Sequence, residues 1–215
     1  MALTKFNFNS FDLTTAASTG IAFNASANGF TTAEGGALNL IATNTISSGV
    51  SSSSFTSGID STYDTYLFKF ISIHPATDNV NFFFNLSSDG GSNYNITKTS
   101  TSFVTFNYED GSYTNLGYDV GGDLAQSTSG QKVTRDLAND SDSAVSGHMF
   151  LFNPSSTTFV KHFIGRSSPY LSYNSAMDFN FAGYGNTTSA INAIQFTMSS
   201  GNIDSGVIKM YGITK

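Results

Sequence analysis

From residue 37 onward the chain alternates apolar and polar positions in short runs, the pattern of β-strands that bury one face. In residues 65–73, for example, Tyr66, Phe68 and Phe70 fall on one face of the predicted strand and Lys69 falls on the other. This alternation has the two-residue period of a strand, and no long stretch keeps the period of a helix. The pattern therefore predicts an all-β protein.

The predicted strands are separated by turns rich in Gly, Asn, Ser and Pro. They span residues 37–46, 65–73, 80–87, 93–108, 145–152, 157–164, 177–184, 190–198 and 206–213. Asp89-Gly90-Gly91, between two aromatic runs, predicts a hairpin. The polar middle, residues 110–144, is predicted to hold a short strand near Tyr113–Tyr118 and one helical turn near Val133–Leu137. About ten short strands joined by turns favour a two-sheet antiparallel β-sandwich, jelly-roll-like in its strand count.

The N-terminal residues differ from the rest of the chain. Residues 1–35 carry Phe6, Phe8 and Phe11 followed by a stretch of small residues, and we predict an arm or attachment segment there. Residues 36–215 are predicted to form the sandwich domain. The alternative is that the first segment is simply a strand and a long loop of the same sandwich.

Composition narrows the class of protein. Charged residues make up 11% of the chain against about 25% in typical domains, and aromatic residues make up 14%, which argues against disorder. The net charge is −6 and the nine Lys and Arg form no cluster along the sequence, so no nucleic-acid partner is predicted.

No apolar run is long enough to span a bilayer. With no cysteine, disulfides and thiolate chemistry are excluded, and we see no signal peptide, so synthesis is predicted in the host cytoplasm.

No catalytic set is evident in the sequence. His74, His148 and His162 stand at no metal-ligand spacing, and there is no Gly-x-Ser-x-Gly elbow. Glu34 and Glu109, the only glutamates, lie in Gly-flanked turns and give no acid pair for a glycosidase. We therefore predict a protein that is not an enzyme and has no cofactor.

Two pairs of aspartates are the candidates for a metal site. Asp60 and Asp64 precede a predicted strand, and Asp140 and Asp142 lie in an Asn-Asp-Ser-Asp-Ser run. Oxygen-rich turns of this kind can bind calcium, but the second run lacks the Gly and the distal Glu of an EF-hand loop. We therefore predict solvated turns and no metal.

Tyrosines in or near turns are the candidate binding residues. They are Tyr113, Tyr118, Tyr170 and Tyr173. Tyrosine is enriched where proteins contact their partners, and with Asn and Asp it suits contact with sugars as well. The alternative is that these tyrosines only cap the edge of the sandwich.

Three segments carry a resemblance to known proteins. They are residues 58–95 (GIDSTYDTYLFKFISIHPATDNVNFFFNLSSDGGSNYN), 152–166 (FNPSSTTFVKHFIGR) and 183–213 (GYGNTTSAINAIQFTMSSGNIDSGVIKMYGI). Over roughly residues 57–213 the chain resembles structural virion proteins of marine tailed bacteriophages, of the tail-fibre-like or capsid-associated kind.

The resemblance implies a protein of the virion: a tail fibre, a head fibre or a capsid decoration. Such a protein would act in assembly, particle stabilisation or host contact. Its expected partners are other virion proteins, further copies of itself in a trimer, and a host-surface glycan. A carbohydrate-binding, lectin-like module is the alternative, and a hydrolase such as a depolymerase is a third reading, which the missing acid pair disfavours.

Overall fold

The computed structural model describes residues 20–23, 30–33 and 37–214, and every regular element in these ranges is a β-strand. The chain divides into two units, Met1–Asn39 and Leu40–Lys215.

In the first unit, β1 (Gly20–Phe23) pairs antiparallel with β2 (Phe30–Ala33). The attachment candidates Phe6, Phe8 and Phe11 lie outside the described residues, so their role stays a prediction.

The remaining strands make up one antiparallel fold. They are β3 (Leu38–Ile46), β4 (Ser52–Phe55), β5 (Thr65–Pro75), β6 (Val80–Ser87), β7 (Lys98–Tyr108), β8 (Thr114–Tyr118), β9 (Gln131–Leu137), β10 (Val145–Phe152), β11 (Lys161–Leu171), β12 (Ser175–Gly185), β13 (Ala193–Met198) and β14 (Ile203–Ile213).

These strands form two layers. By strand pairing they belong to one twelve-stranded antiparallel sheet, which we describe as two layers because its two parts face each other across the core. The larger layer runs in the order β3-β14-β5-β10-β11-β12-β7-β8, and the smaller layer runs β9-β6-β13-β4. The pairing of Leu171 in β11 with Leu137 in β9 makes the two layers continuous. The predicted fold class is confirmed: the protein is an all-β, two-sheet antiparallel sandwich, jelly-roll-like and nearly closed into a barrel.

The core between the layers is built largely of phenylalanine. Phe70 of β5 meets Phe82 of β6 edge-on, with ring centroids 5.5 Å apart. Phe84 of β6 meets Phe163 of β11 in the same way at 5.1 Å. Edge-to-face pairs of this kind add about 0.5–1.5 kcal/mol each to the free energy gained by burying the rings. The phenylalanine side chains on the inward faces of the strands therefore pack the two layers against each other.

The two layers are also linked at the opposite side of the sandwich. A backbone bridge between Val50 and Ile203, with N–O distances of 2.9 and 2.8 Å, joins the segment before β4 to β14. The Asn44 side chain of β3 donates to Ser53 Oγ of β4 at 2.9 Å. Together with the β11–β9 pairing, these contacts close the sandwich, while β12, β7 and β8 extend the larger layer on the other side of β11.

The predicted hairpin at Asp89-Gly90-Gly91 is wrong. The turn exists, with both glycines at positive φ (73° and 89°), but β6 pairs with β9 and β13, whereas β7 pairs with β12 and β8. The chain crosses from one layer to the other after this turn. Asp89 stabilises the crossing, because it accepts bonds from the Asn93 backbone N–H at 2.9 Å and from the Ser87 hydroxyl at 2.7 Å.

Two further expectations fail. The helical turn predicted at Val133–Leu137 is strand β9, because a spacing of four fits either period and the pairing with β6 decides between them. The run Arg166-Ser167-Ser168-Pro169 follows a predicted strand and reads as a turn in the sequence, but Pro169 lies inside β11 opposite Val145. It is tolerated because the β11–β12 pairing is interrupted there, between the pairs at Ser167 and Tyr170.

Candidate functional site

A cluster of aromatic rings lies where the β7–β8 turn meets the β11–β12 turn. The Tyr108 ring lies 5.6 Å from the Tyr113 ring and 5.5 Å from the Tyr173 ring, measured between centroids. Phe106 extends the cluster, 5.4 Å from Tyr113. We call these four residues the tyrosine cluster. The backbone N–H of Glu109 donates to the carbonyl of Asn174 at 3.0 Å and ties the two turns together.

Charged groups border the tyrosine cluster. Arg135 contacts Asp119 through Nη1 at 2.5 Å and Asp136 through Nε at 3.2 Å. The Tyr173 hydroxyl donates to Asp136 Oδ2 at 3.3 Å. Burial alone would lower the pKa of Arg135, but the two carboxylates outweigh it and the pKa is raised. Burial first, and then the Asp136 charge, raise the pKa of Tyr173, so its hydroxyl stays a donor.

This arrangement places ring faces beside fixed hydrogen-bonding groups. Tyr113 is the most exposed ring of the cluster, at 49%, whereas Tyr173 is anchored to Asp136. Ring faces that stack on apolar surface, next to carboxylate and guanidinium groups, are suited to hold a sugar or the side chains of another protein.

The four predicted tyrosines do not all meet. Tyr113 and Tyr173 come together through Tyr108, which the sequence reasoning missed although it directly precedes the turn. Tyr170 lies beside the same turn, with its hydroxyl 3.3 Å from Asn174 Oδ1. Tyr118 lies apart, on β8 opposite Phe103, and its hydroxyl donates to Asp123 at 2.7 Å.

The outer face of the larger layer, turned away from the smaller layer, exposes apolar side chains. Their exposed fractions are 72% for Leu116, 56% for Tyr118, 50% for Phe103, 49% for Ile164 and 38% for Phe152. A shallow hollow of about 670 Å³ crosses β8, β7 and β12 on this part of the molecule, lined by residues that include Leu116. Several apolar groups exposed on one sheet face are a feature of interaction surfaces.

The edge formed by β8 is open. Within the part of the chain that the structure describes, β8 pairs only with β7. Its five residues, Thr114–Tyr118, include no charged residue and no proline, and only Gly117 is partly buried. Natural proteins usually protect such edges with charges, bulges or covering segments. Among the described residues, the β8 edge has none of the charges or prolines that usually protect such an edge.

The candidate metal ligands do not assemble into a site. No group of three His, Asp or Glu side chains that could hold a metal occurs among residues 20–23, 30–33 and 37–214. Asp60 accepts hydrogen bonds from the Thr62 backbone at 2.8 Å and, at 3.4 Å, from the Tyr66 hydroxyl. His148 and His162 lie on paired strands, but His148 is opposite Arg166 and His162 is opposite Tyr184.

A polar depression of about 590 Å³ surrounds His74, Asp142 and Asp204. His74 Nδ1 lies 3.5 Å from Asp204 Oδ2, and its Nε2 lies 3.1 Å from the Asp140 carbonyl oxygen. Because the backbone carbonyl occupies Nε2, this ring is not placed against a serine hydroxyl as a general base would be.

Two lysines are fully buried, which no pattern in the sequence predicts. Lys98 and Lys161 both pair with Gly185 and lie at the same end of the larger layer. The Lys98 ammonium donates to Asn85 Oδ1 at 2.6 Å and to the Ile96 carbonyl at 2.9 Å. Burial lowers the pKa of Lys98 to about 8. Their bonded acceptors are neutral, so these lysines are costly to the fold while they are charged.

Comparison with protein-family models found no matching family, and comparisons with curated proteins and with solved structures found no match. The resemblance to bacteriophage virion proteins therefore stays a prediction. The structure holds no helix long and apolar enough to cross a membrane among the residues it describes.

Proposed function

We propose that the chain is a structural protein of a virus particle, a tail or head fibre or a capsid decoration, which works through contacts between subunits. The observation that carries the proposal is the open, uncharged β8 edge beside the exposed Leu116, Tyr118 and Phe103. In a monomer, an edge of this kind leaves backbone N–H and C=O groups without strand partners and promotes aggregation. In an assembly, a strand of a neighbouring subunit forms hydrogen bonds with these groups.

The proposal includes association of the chain with copies of itself. Closed symmetric oligomers are the usual form of self-assembly, and they remove exposed edges. The trimer expected from the resemblance is the form we propose. Phe6, Phe8 and Phe11 are proposed as additional attachment residues toward other virion proteins.

Leu116→Lys tests the assembly surface. A lysine on the β8 edge adds charge where a neighbouring strand would pair, so we expect the wild-type oligomer to dissociate into monomers. The readout is molar mass by light scattering after size-exclusion chromatography. Val120→Lys is the matched control, because Val120 is 79% exposed and lies outside β8. If Leu116→Lys and wild type have the same mass, the β8 edge is not the assembly surface.

Location in the particle is tested separately. Antibodies against this chain, used in immunogold electron microscopy of particles of the virus that encodes it, should label a fixed position on each particle. Unlabelled particles that lack the chain by mass spectrometry would contradict a virion role, whatever its oligomeric state.

The tyrosine cluster supports the second candidate, a carbohydrate-binding module. A glycan array with the wild-type protein and with Tyr113→Ala separates this candidate from a purely structural role. We expect binding that is lost in the variant, because the exposed Tyr113 ring would stack on the sugar. A polysaccharide-degradation assay on any glycan that binds would test the depolymerase reading.

A further inference from the structure

The outer face of the larger layer carries a row of basic side chains across four adjacent strands. In the strand register Lys209 of β14 lies opposite Lys69 of β5, Lys69 lies opposite His148 of β10, and His148 lies opposite Arg166 of β11. Residues directly opposite each other in antiparallel pairs project from the same face. We call these four residues the basic row; with strands about 4.8 Å apart, it is roughly 14 Å long.

This row is unusual for the protein that contains it. The chain has a net charge of −6, and like charges placed directly opposite each other destabilise a sheet. Arg166 is compensated by Asp178, to which it donates two hydrogen bonds of 2.6 and 2.8 Å. Lys69 and Lys209 face each other, and neither forms an ion pair with a carboxylate in the described part of the chain.

The strands around the two lysines supply no negative charge to this face. Neither β3, β5 nor β10 contains an Asp or Glu. The one acidic residue of β14 is Asp204, at the start of the strand, where it contacts His74 at 3.5 Å. His148, in the middle of the row, has its pKa lowered by burial and then by the positive charges of Arg166 and Lys69. Since Arg166 is paired with Asp178 and a lowered pKa favours neutral His148, the uncompensated positive charge of the row is that of Lys69 and Lys209.

Apolar groups lie along one side of the basic row. The adjacent row on the same face is formed by Tyr211, Leu67, Phe150 and Ile164, which are also paired strand by strand. It leads to a hollow of about 570 Å³ lined by Phe152, Ile164, Tyr184 and threonines of β7. The Phe150 and Phe152 rings are stacked, with centroids 6.1 Å apart. Cations and aromatic rings thus lie side by side on this face of the sheet, although Leu67 itself is buried.

We propose that this surface binds an acidic polysaccharide, with sulfate or carboxylate groups on the basic row and a sugar ring in the hollow beside Phe152. Anionic groups relieve the repulsion between Lys69 and Lys209, and the apolar faces of sugar rings suit the aromatic hollow. An acidic protein segment would meet the lysines equally well but would leave the hollow without a specific role. The inference goes beyond the proposed function, and it involves neither the β8 edge nor the tyrosine cluster.

The test uses the full-length protein and dextran sulfate, with uncharged dextran as the matched probe and polyglutamate as a polyanion without sugar. Binding is measured by isothermal titration calorimetry at low and at physiological salt. Dextran sulfate should bind and dextran should not, and binding should weaken as salt screens the lysines. The double variant Lys69→Gln/Lys209→Gln should lose about tenfold or more in affinity, because it removes both uncompensated cations. Phe152→Ala should weaken dextran sulfate binding and leave any polyglutamate binding unchanged.

Lys132→Gln is the control, since it removes one positive charge at a distant strand, β9, and should leave the affinity within about twofold. Three results would overturn the proposal. The first is a wild-type protein that does not bind dextran sulfate at low salt. The second is a loss of affinity in the Lys132 variant as large as that in the double variant, which would indicate general charge attraction. The third is polyglutamate binding as tight as dextran sulfate binding, with no effect of Phe152→Ala, which would assign the surface to an acidic protein.

Discussion

Single residues inside this sandwich are constrained by the crowding of phenylalanine rings and by two buried charges. Gly183 leaves room for Phe163, since an added Cβ would lie 2.8 Å from that ring and 2.5 Å from the Thr99 carbonyl oxygen. Lys98 keeps its ammonium in a fully buried position whose bonded partners, Asn85 and Ile96, are neutral. We therefore expect substitutions at Gly183 and at Lys98 to change the free energy of unfolding.

Replacing Gly183 by alanine should lower the free energy of unfolding by about 1–3 kcal/mol, because the neighbouring backbone cannot move aside as a flexible side chain would. Gly117→Ala is the matched strand control. Its added Cβ would meet only the Asn115 side chain, 3.4 Å away, and we expect little change. Urea unfolding of both variants gives the measurement, and equal stability of the two would contradict this account of the core.

The buried Lys98 predicts a pH-dependent stability. Its pKa is lowered from 10.5 to about 8 in the folded state, so between these values the unfolded chain binds more protons and folding becomes more favourable as pH rises. Below about pH 8 the lysine is charged in both states, and its burial penalty is fully present.

Lys98→Met isolates this effect, because all other titrating groups remain. From about pH 7.5 to about pH 9.5, the free energy of unfolding of wild type should rise by about 2 kcal/mol relative to the variant. If the difference in unfolding free energy between wild type and Lys98→Met stays constant across this pH range, burial does not lower the pKa of Lys98.

At the scale of elements, the strands differ in what they contribute. Strand β14 lies between β3 and β5 and buries Ile208 and Met210 completely. Among the described residues, β8 pairs with β7 alone, and none of its own five residues is fully buried. The first is therefore essential for folding, whereas the second is available for contacts.

Deleting residues 206–215 should abolish soluble, cooperatively folding protein, since it removes core side chains and the hydrogen-bond partners of two neighbouring strands. Met210→Ala should cost about 2–5 kcal/mol of unfolding free energy for the same reason. Val120→Ala, at a position that is 79% exposed and lies outside the strands, is the control and should leave thermal melting unchanged. A soluble 206–215 deletion that melts cooperatively would show that β14 is dispensable.

For the whole molecule, the question is what holds the fold closed. The sandwich closes through the β11–β9 pairing and the Val50–Ile203 bridge, and its core is continuous across both layers. These are hydrogen-bonded and apolar contacts.

Chelation should therefore leave thermal stability unchanged. We expect the melting temperature in excess EDTA to lie within experimental error of the value with added calcium, measured by differential scanning calorimetry. A decrease of more than about 5 °C, which corresponds to roughly 1–2 kcal/mol for a domain of this size, would reveal a metal site. Asp140→Asn and Asp142→Asn would then identify whether the Asn-Asp-Ser-Asp-Ser turn holds it.

The sequence alone determined the all-β class, because alternation at two-residue intervals marks strands wherever one face is buried. Residues 65–73, 80–87 and 145–152 match β5, β6 and β10 closely. The four-residue β4 escaped detection, since Ser52–Phe55 contains a single large apolar residue. The sequence also identified Tyr113 and Tyr173 as candidate binding residues, because tyrosines near turns stand out in a chain this rich in Ser, Thr and Asn.

Only the tertiary structure decided which strands are neighbours. Turn chemistry at Asp89-Gly90-Gly91 is the same for a hairpin and for a crossing between layers, so β6 and β7 were paired wrongly. The basic row is likewise invisible in sequence: Lys69, His148, Arg166 and Lys209 are far apart along the chain and meet because β5, β10, β11 and β14 are adjacent. Pattern along a chain reports which face of a strand is buried, whereas strand order depends on long-range packing of the whole core.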